Sequence, residues 1–187
     1  MVRMIGAVAL AVLVLMLAPA SALAQQPAQR SIDATPRAKE MAVSGNLGFA
    51  NPFDDDFDDI EPILTGTYEY WFTSEFSIRG LLGYTSFDAG DAEADLIIMN
   101  GNFVYSWPHR TVRPYVTGGI GFYNKDYSGP GTGDLDDGFE LGMNGGGGVD
   151  IFLTNQWAIK IDGGFHGVTG DEPDALFVAT AGAQFRW

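Results

Sequence analysis

The sequence predicts an all-β protein, an eight-stranded antiparallel up-and-down transmembrane β-barrel. Segments of roughly ten residues alternate apolar and polar side chains, clusters of turn-forming residues separate them, and short and long connections alternate along the chain. Because a strand turns successive side chains to opposite faces, each segment has one apolar face and one polar face. After residue 24 no stretch approaches the roughly 18 consecutive apolar residues of a membrane-spanning helix.

The first 24 residues are predicted to be a secretory signal peptide. Arg3 gives a positively charged start, residues 5–17 form an apolar core, and Ala22-Leu23-Ala24 matches a small-residue cleavage pattern. Residues 25–39 are polar, contain two prolines and show no period, so they are predicted to be a flexible leader without a fold. The predicted barrel domain covers residues 40–187.

Eight segments carry the alternation. They are residues 41–50, 63–72, 76–87, 96–107, 112–123, 139–153, 157–167 and 176–187. The connections at 73–75, 108–111 and 154–156 are short, whereas those at 51–62, 88–95, 124–138 and 168–175 are long. In an up-and-down meander all long connections lie at one end, as in bacterial outer-membrane barrels. With the N-terminus in the periplasm, we expect the turns there and the long connections outside the cell.

The alternation also predicts which side chains meet lipid. In the seventh segment Ile159 and Ile161 alternate with Lys160 and Asp162. A charge at the lipid-facing midplane costs about 2 to 4 kcal/mol, so the polar registers are expected to face the lumen. The predicted lumen cluster comprises Glu69, Arg79, Glu140, Asp150, Lys160, Asp162, His166 and Arg186.

A secreted soluble barrel with apolar side chains inside is the alternative that alternation alone leaves open. Aromatic residues near the strand ends favour the membrane barrel, because such residues form girdles at the two membrane interfaces. The predicted girdle residues are Tyr70, Trp71, Phe72, Tyr84, Phe87, Trp107, Tyr123 and Trp157.

Composition narrows the functions to consider. The chain has no Cys, which excludes disulfides, thiolate nucleophiles and Cys-ligated metals. Its formal charge of -14 disfavours nucleic-acid binding. The long connections hold 17 of the 24 acidic residues and predict a solvated acidic rim. Divalent ions at such a rim could bridge it to lipopolysaccharide phosphates, but no connection has EF-hand spacing, and we predict neither a defined metal site nor a cofactor.

Two motifs bear on catalysis. The glycine run at residues 145–148 lacks the Lys-Ser or Lys-Thr that follows a phosphate-binding loop, so close strand packing is the preferred interpretation. His166 shares a register with Asp162, and Ser86 lies near the same membrane end. These residues leave a lipid-modifying enzyme open as an alternative, but they assign no catalytic residue.

Three stretches resemble a known family. Arg113-Pro114-Tyr115-Val116 leads into Gly118-Gly119-Ile120-Gly121, residues 145–149 lead through Leu153-Thr154 to Trp157, and the chain ends in Phe185-Arg186-Trp187. With the alternating segments, they make the sequence resemble the small outer-membrane β-barrel proteins, the OmpA-like, OmpX-like and opacity-protein-like group. The resemblance implies a bacterial outer-membrane location, contact with its lipid and lipopolysaccharide, and an assembly signal at Phe185 and Trp187 that the barrel-assembly machinery reads.

The expected function is therefore that of a non-enzymatic surface barrel. It serves envelope structure or contacts an external ligand through its acidic extracellular connections. A small ion or solute channel is the first alternative, although eight strands leave a lumen only just wide enough for side chains to fill. An outer-membrane lipid-modifying enzyme is the second.

Overall fold

The computed structural model describes residues 32–53, 60–89, 92–128, 138–169 and 175–187, and its compact unit is Ile32–Trp187. The strands are β1 (Met41–Pro52), β2 (Glu61–Trp71), β3 (Phe76–Ala89), β4 (Ala92–Ser106), β5 (Val112–Ser128), β6 (Gly138–Phe152), β7 (Trp157–Thr169) and β8 (Ala175–Arg186). At the short turns these bounds agree with the predicted ones to within one residue. At the long connections the strands extend one to five residues beyond the prediction.

The eight strands form a closed barrel in chain order, in which each strand pairs antiparallel with its neighbours and β1 pairs with β8. This confirms the predicted fold class. We call the end with the three short turns and the start of β1 the turn end, and the opposite end the loop end. Within the described ranges, no helix is long and apolar enough to cross a membrane.

The outer face of the barrel is apolar and the inner face is polar at mid-height. On β7 the side chains of Ile159 and Ile161 are 43% and 44% exposed, whereas Lys160 between them is fully buried. A soluble barrel would show the opposite arrangement, with its apolar residues inside. Leu47, Leu82, Phe103, Ile120 and Met143 continue the exposed apolar surface around the barrel. Such a large apolar surface needs lipid to cover it.

Aromatic side chains gather on the outer face near both ends. The turn end carries Tyr70, Phe72, Phe76, Tyr105, Trp107, Trp157, Phe185 and Trp187, and the loop end carries Phe49, Phe53, Phe165 and Phe177. The girdle prediction was wrong for Trp71 and Tyr123, which point inward and are fully buried. One step along a strand reverses the face, so position near a strand end does not decide it. The predicted girdle side chain of Phe87 lies outside the described part.

The glycine run at 145–148 lies inside β6, as close strand packing requires. A Cβ on Gly148 would lie 2.2 Å from the carbonyl oxygen of Ile161 and 2.5 Å from the hydroxyl oxygen of Tyr115. Gly148 therefore lets the neighbouring backbone and the large inward ring of Tyr115 approach β6 closely. No part of the run forms a turn into a helix, which a phosphate-binding loop would need.

The segment before β1 differs from the expected leader over residues 32–39. Ala34 is fully buried, and its amide donates a 2.5 Å hydrogen bond to the carbonyl of Arg110 in the turn between β4 and β5. Ile32 packs with Ala34 against Phe152 and Ala158 at the turn end. Alternating small apolar residues give this polar stretch one buried face. Residues 25–31 of the predicted leader lie outside the described residues.

Candidate functional site

The lumen is filled by side chains in successive layers. At the turn end, Ile32 and Ala34 lie against Phe152 and Ala158. An ionic layer, a polar cavity and an apolar cluster follow in the direction of the loop end. These layers contain the candidate functional site because charged side chains rarely occur buried unless they are paired.

One half of the ionic layer is built on the β2–β3 hairpin. Glu69 and Arg79 face each other across the pair of strands, and the Glu69 carboxylate accepts hydrogen bonds from Arg79 Nε at 3.0 Å and Nη2 at 2.9 Å. Ser77 donates to the other carboxylate oxygen at 2.6 Å. Both charged side chains are almost fully buried, so the paired geometry offsets much of the cost of removing them from water.

The other half lies on β5, β6 and β7. Asp150 accepts hydrogen bonds from Arg113 Nε at 2.9 Å, from Arg113 Nη2, and from Lys160 Nζ at 3.2 Å. The guanidinium of Arg113 stacks 4.5 Å from the ring centroid of Trp71, and its Nη1 lies 3.7 Å from Glu69 Oε1. Arg113 thus joins the two halves across the barrel.

Tyr115 and Asp162 complete the ionic layer. The Tyr115 hydroxyl donates to Asp162, which also lies 3.3 Å from Arg79 Nη1 and 3.9 Å from Lys160 Nζ. The Tyr115 ring lies between two cations, each 4.4 Å from its centroid. Among the described residues, the layer has three acidic groups, Glu69, Asp150 and Asp162, and three basic groups, Arg79, Arg113 and Lys160. Its formal charge is therefore balanced.

A cavity of about 50 Å³ lies on the loop-end side of the ionic layer. Its lining includes Arg79, Asp162, Asn102, Asn144 and His166. The side-chain oxygen of Asn102 and the side-chain nitrogen of Asn144 are buried without a protein hydrogen-bond partner. A polar cavity of this size has room for a few water molecules, which would satisfy such groups.

His166 lines the cavity and, among the described residues, is not paired with a carboxylate. Its Nδ1 is 2.8 Å from the hydroxyl oxygen of Tyr123 and 3.3 Å from the side-chain nitrogen of Asn100. Asp162, which shares the register of His166, contacts Arg79 and Tyr115 instead. Ser86 belongs to the outward register of β3, whereas His166 belongs to the inward register of β7. The arrangement therefore does not bring these residues together as a catalytic triad.

An apolar cluster fills the lumen at the loop end. Its buried members are Ala50, Ile63, Leu96, Ile98, Tyr123, Val168, Leu176 and Val178. They come from β1, β2, β4, β5, β7 and β8 and thus pack across the barrel. This cluster separates the cavity and the ionic layer from the long connections.

Arg186 is a buried charged residue at the turn end. Its guanidinium donates to the carbonyls of Ala34 at 3.1 Å, Asp33 at 2.8 Å and Asn155 at 2.9 Å, and it stacks 4.4 Å from the ring centroid of Phe152. Asp33 accepts the backbone amide of Thr35 at 2.9 Å, and this hydrogen bond lowers the pKa of the Asp33 carboxyl below its ordinary value. At the turn end, the segment before β1 is therefore held both by apolar packing and by the hydrogen bonds of the Arg186 guanidinium.

The structure brings five of the eight predicted lumen residues into the ionic layer: Glu69, Arg79, Asp150, Lys160 and Asp162. The other three lie at different heights. Glu140 Oε2 is 3.5 Å from Lys125 Nζ near the loop end, His166 lines the cavity, and Arg186 is at the turn end.

Sequence reasoning missed Arg113 and Tyr115, which hold the centre of the ionic layer. Their alternation with Val112, Pro114 and Val116 was the signal that could have identified them, since it places both in the inward register of β5.

Most of the predicted acidic rim lies outside the described side chains. Of the 17 acidic residues in the long connections, only Glu61 and Asp95 have a described side chain, and Asp95 accepts a 2.6 Å hydrogen bond from Tyr84. Over the described part of the chain, no group of three or more His, Asp or Glu side chains is placed to hold a metal ion. Phe185 and Trp187, the predicted assembly signal, lie on the outer face with ring centroids 5.9 Å apart.

Comparison with known proteins places this geometry among outer-membrane barrels. The family model described as "Outer membrane protein beta-barrel domain" matches residues 10–185. Neisserial surface protein A is similar in structure, with a TM-score of 0.66 and 12% identity over 78% of this chain and 96% of that one.

Two further solved structures share the fold. Ail, the attachment invasion locus protein of Yersinia pestis, has a TM-score of 0.58 and 16% identity over 80% of this chain and 99% of its own. OprG from Pseudomonas aeruginosa has a TM-score of 0.56 and 11% identity over 82% and 98%. No curated protein sequence matches the chain.

Proposed function

Because the chain belongs to the outer-membrane β-barrel protein family, we propose that it is a non-enzymatic closed barrel that supports the envelope or binds external partners through its acidic connections. The balanced ionic layer carries this proposal. Its six charged side chains lie across the lumen and pair with one another, so they have little remaining capacity to attract an ion.

The ionic layer opposes conduction for an energetic reason. An ion that passed through it would have to separate pairs such as Arg113 and Asp150, both fully buried. Separating a buried pair leaves uncompensated charges in a medium of low dielectric constant, which costs about 3 to 5 kcal/mol. The apolar cluster near the loop end adds a second obstruction.

The proposed orientation places the turn end in the periplasm and the long connections outside the cell. Positively charged or cation-bridged partners then suit the acidic connections, including lipopolysaccharide held through divalent ions. Ail has been solved with the heparin analogue sucrose octasulfate. Because the long connections of this chain are acidic, we predict that it does not bind that polyanion. We further propose that the barrel-assembly machinery engages Phe185 and Trp187.

A small ion or solute channel is the second candidate, and the polar cavity favours it. The cavity has room for water and lies directly beside the ionic layer. For conduction, the paired charges would have to rearrange and the apolar cluster would have to open. The cavity alone therefore gives weaker support for a channel than the ionic layer gives for closure.

Single-channel recording in planar bilayers tests the proposal. The pure protein is expected to give no reproducible, ion-selective steps, while a general porin in the same bilayers gives steps that validate the assay. Reproducible selective steps from the pure protein would establish the channel instead.

Lipid hydrolysis provides the test of the non-enzyme assignment. Purified protein is incubated with lipopolysaccharide and phospholipid, and released acyl chains are measured. We expect no release above background. Release that disappears in His166→Ala would show that the protein is an enzyme.

A further inference from the structure

Residues 32–36 have two different faces. Ile32 is partly buried, and Ala34 and Pro36 are buried, whereas Asp33 and Thr35 between them are exposed. The inward face continues the apolar packing of Phe152 and Ala158 at the turn end. The extended segment therefore covers the mouth of the barrel with its apolar face and presents polar side chains to solvent.

Its backbone is bound to separate parts of the barrel rim. The Ala34 amide donates to Arg110 in the turn between β4 and β5, and the Asp33 amide donates to the Asn155 side chain in the turn between β6 and β7, at 3.0 Å. Lys39 donates to the carbonyl of Trp71 at the end of β2. These contacts stretch the segment across the barrel opening.

A turn just before β1 directs the segment onto the mouth. Lys39 adopts a left-handed conformation with φ of 72°, which costs a residue with a side chain about 1 kcal/mol. The Glu40 carboxylate accepts the amide of Arg37 at 3.0 Å and lies 3.6 Å from Arg186 Nε. Local hydrogen bonds and the contacts with the rim together hold this conformation.

We propose that residues 32–37 form a latch that seals the turn-end mouth, and that Arg186 holds the latch closed. Arg186 is suited to this role because one guanidinium binds the carbonyls of Asp33 and Ala34 in the latch and the carbonyl of Asn155 in the rim. Since Arg186 lies on β8, the last strand, the latch can dock fully only after that strand has paired with β7 and β1. The latch is distinct from the ionic layer, so opening it is not expected to make the barrel conduct.

Thiol accessibility tests the latch directly because the chain contains no Cys. Ala158→Cys places a single thiol beneath the latch, and Glu75→Cys places one in an exposed turn at the same end. In detergent-solubilised protein, a water-soluble maleimide is expected to label position 158 at least about tenfold more slowly than position 75.

Replacing one of two alanines with Asp, either in the latch or just outside it, then distinguishes opening of the latch from a general effect of added charge. Ala34→Asp puts a larger, charged side chain into the fully buried contact with Phe152 and Ala158 and should raise labelling at position 158 at least about tenfold, whereas the exposed Ala38→Asp should leave it unchanged. Arg186→Gln should also raise the labelling at position 158. Heat-modifiable migration on SDS gels checks that every variant still forms the barrel.

Hydrogen exchange supplies a test without a thiol beneath the latch. The Ala34 amide should be protected in the natural sequence and lose protection in Arg186→Gln, while the Val43 amide in β1 keeps it. Fast exchange at Ala34 in the natural sequence would overturn the latch. So would unchanged protection at Ala34 in Arg186→Gln. Bilayer recordings report on the proposed function separately, because they depend on the ionic layer.

Discussion

At the scale of single residues, Asp150 is the acidic group of the ionic layer that Arg113 and Lys160 share. It is fully buried and accepts hydrogen bonds from both Arg113 and Lys160. Asp150→Asn removes the charge but keeps the shape, so two buried cations lose their shared partner. We expect the free energy of unfolding to fall by about 3 to 5 kcal/mol. Urea unfolding in lipid vesicles measures it.

Glu140→Gln is the matched control for this prediction. Glu140 also pairs with a lysine across neighbouring strands, but both side chains are partly exposed, at 20% for Lys125 and 31% for Glu140. Solvent screening limits such a pair to about 0 to 1 kcal/mol. Equal losses from the two substitutions would mean that burial does not decide the strength of these pairs.

Gly148 makes a second residue-scale prediction. A methyl group there would meet the Ile161 carbonyl and the Tyr115 hydroxyl, so Gly148→Ala should reduce the free energy of unfolding by about 1 to 3 kcal/mol. Gly101→Ala is the control, because a Cβ at that position meets no atom within 4 Å. Urea titrations of both variants compare them. The crowding argument fails if both unfold at the same urea concentration.

Single-residue positions could be predicted only in part. Alternation correctly assigned Glu69, Arg79 and Lys160 to the inner face, because a strand has a period of two. It could not assign height in the lumen, since height depends on how neighbouring strands are shifted. That is why Glu140 and Arg186 were grouped with residues that lie at other levels.

At the scale of elements, the strands were the most predictable feature. At the turn end, the tight turns fixed the ends of the strands. At the loop end, the strands continue into the long connections, where the alternation of side chains weakens. β5 extends to Ser128, five residues beyond its predicted end. The latch was missed because its inward face consists of only Ile32, Ala34 and Pro36, and alternation over five residues is too short to distinguish from a polar leader.

Ile161→Arg tests the outer face of β7. The side chain faces lipid near mid-strand, so the substitution should cost about 2 to 4 kcal/mol, measured as loss of folded protein in vesicles. Thr169→Arg adds the same charge to the same face at the loop end, where the cost should fall to about 0 to 1 kcal/mol. If the two variants fold equally well, the depth assigned to β7 is wrong.

At the scale of the whole molecule, the two ends of the barrel differ in chemistry. The turn end has tight turns, an aromatic outer belt and the bound segment at residues 32–37. The loop end has an apolar cluster inside and most of the acidic residues in its connections. In the proposed orientation, we expect contacts with partners outside the cell to form at the loop end.

Labelling of intact cells tests that orientation most directly. Thr132→Cys introduces a thiol into the connection between β5 and β6, and Glu75→Cys introduces one into the turn between β2 and β3. With a membrane-impermeant maleimide, the account predicts labelling of position 132 on intact cells and of position 75 only after the outer membrane is permeabilised. Labelling of position 75 on intact cells, with position 132 protected, would contradict it.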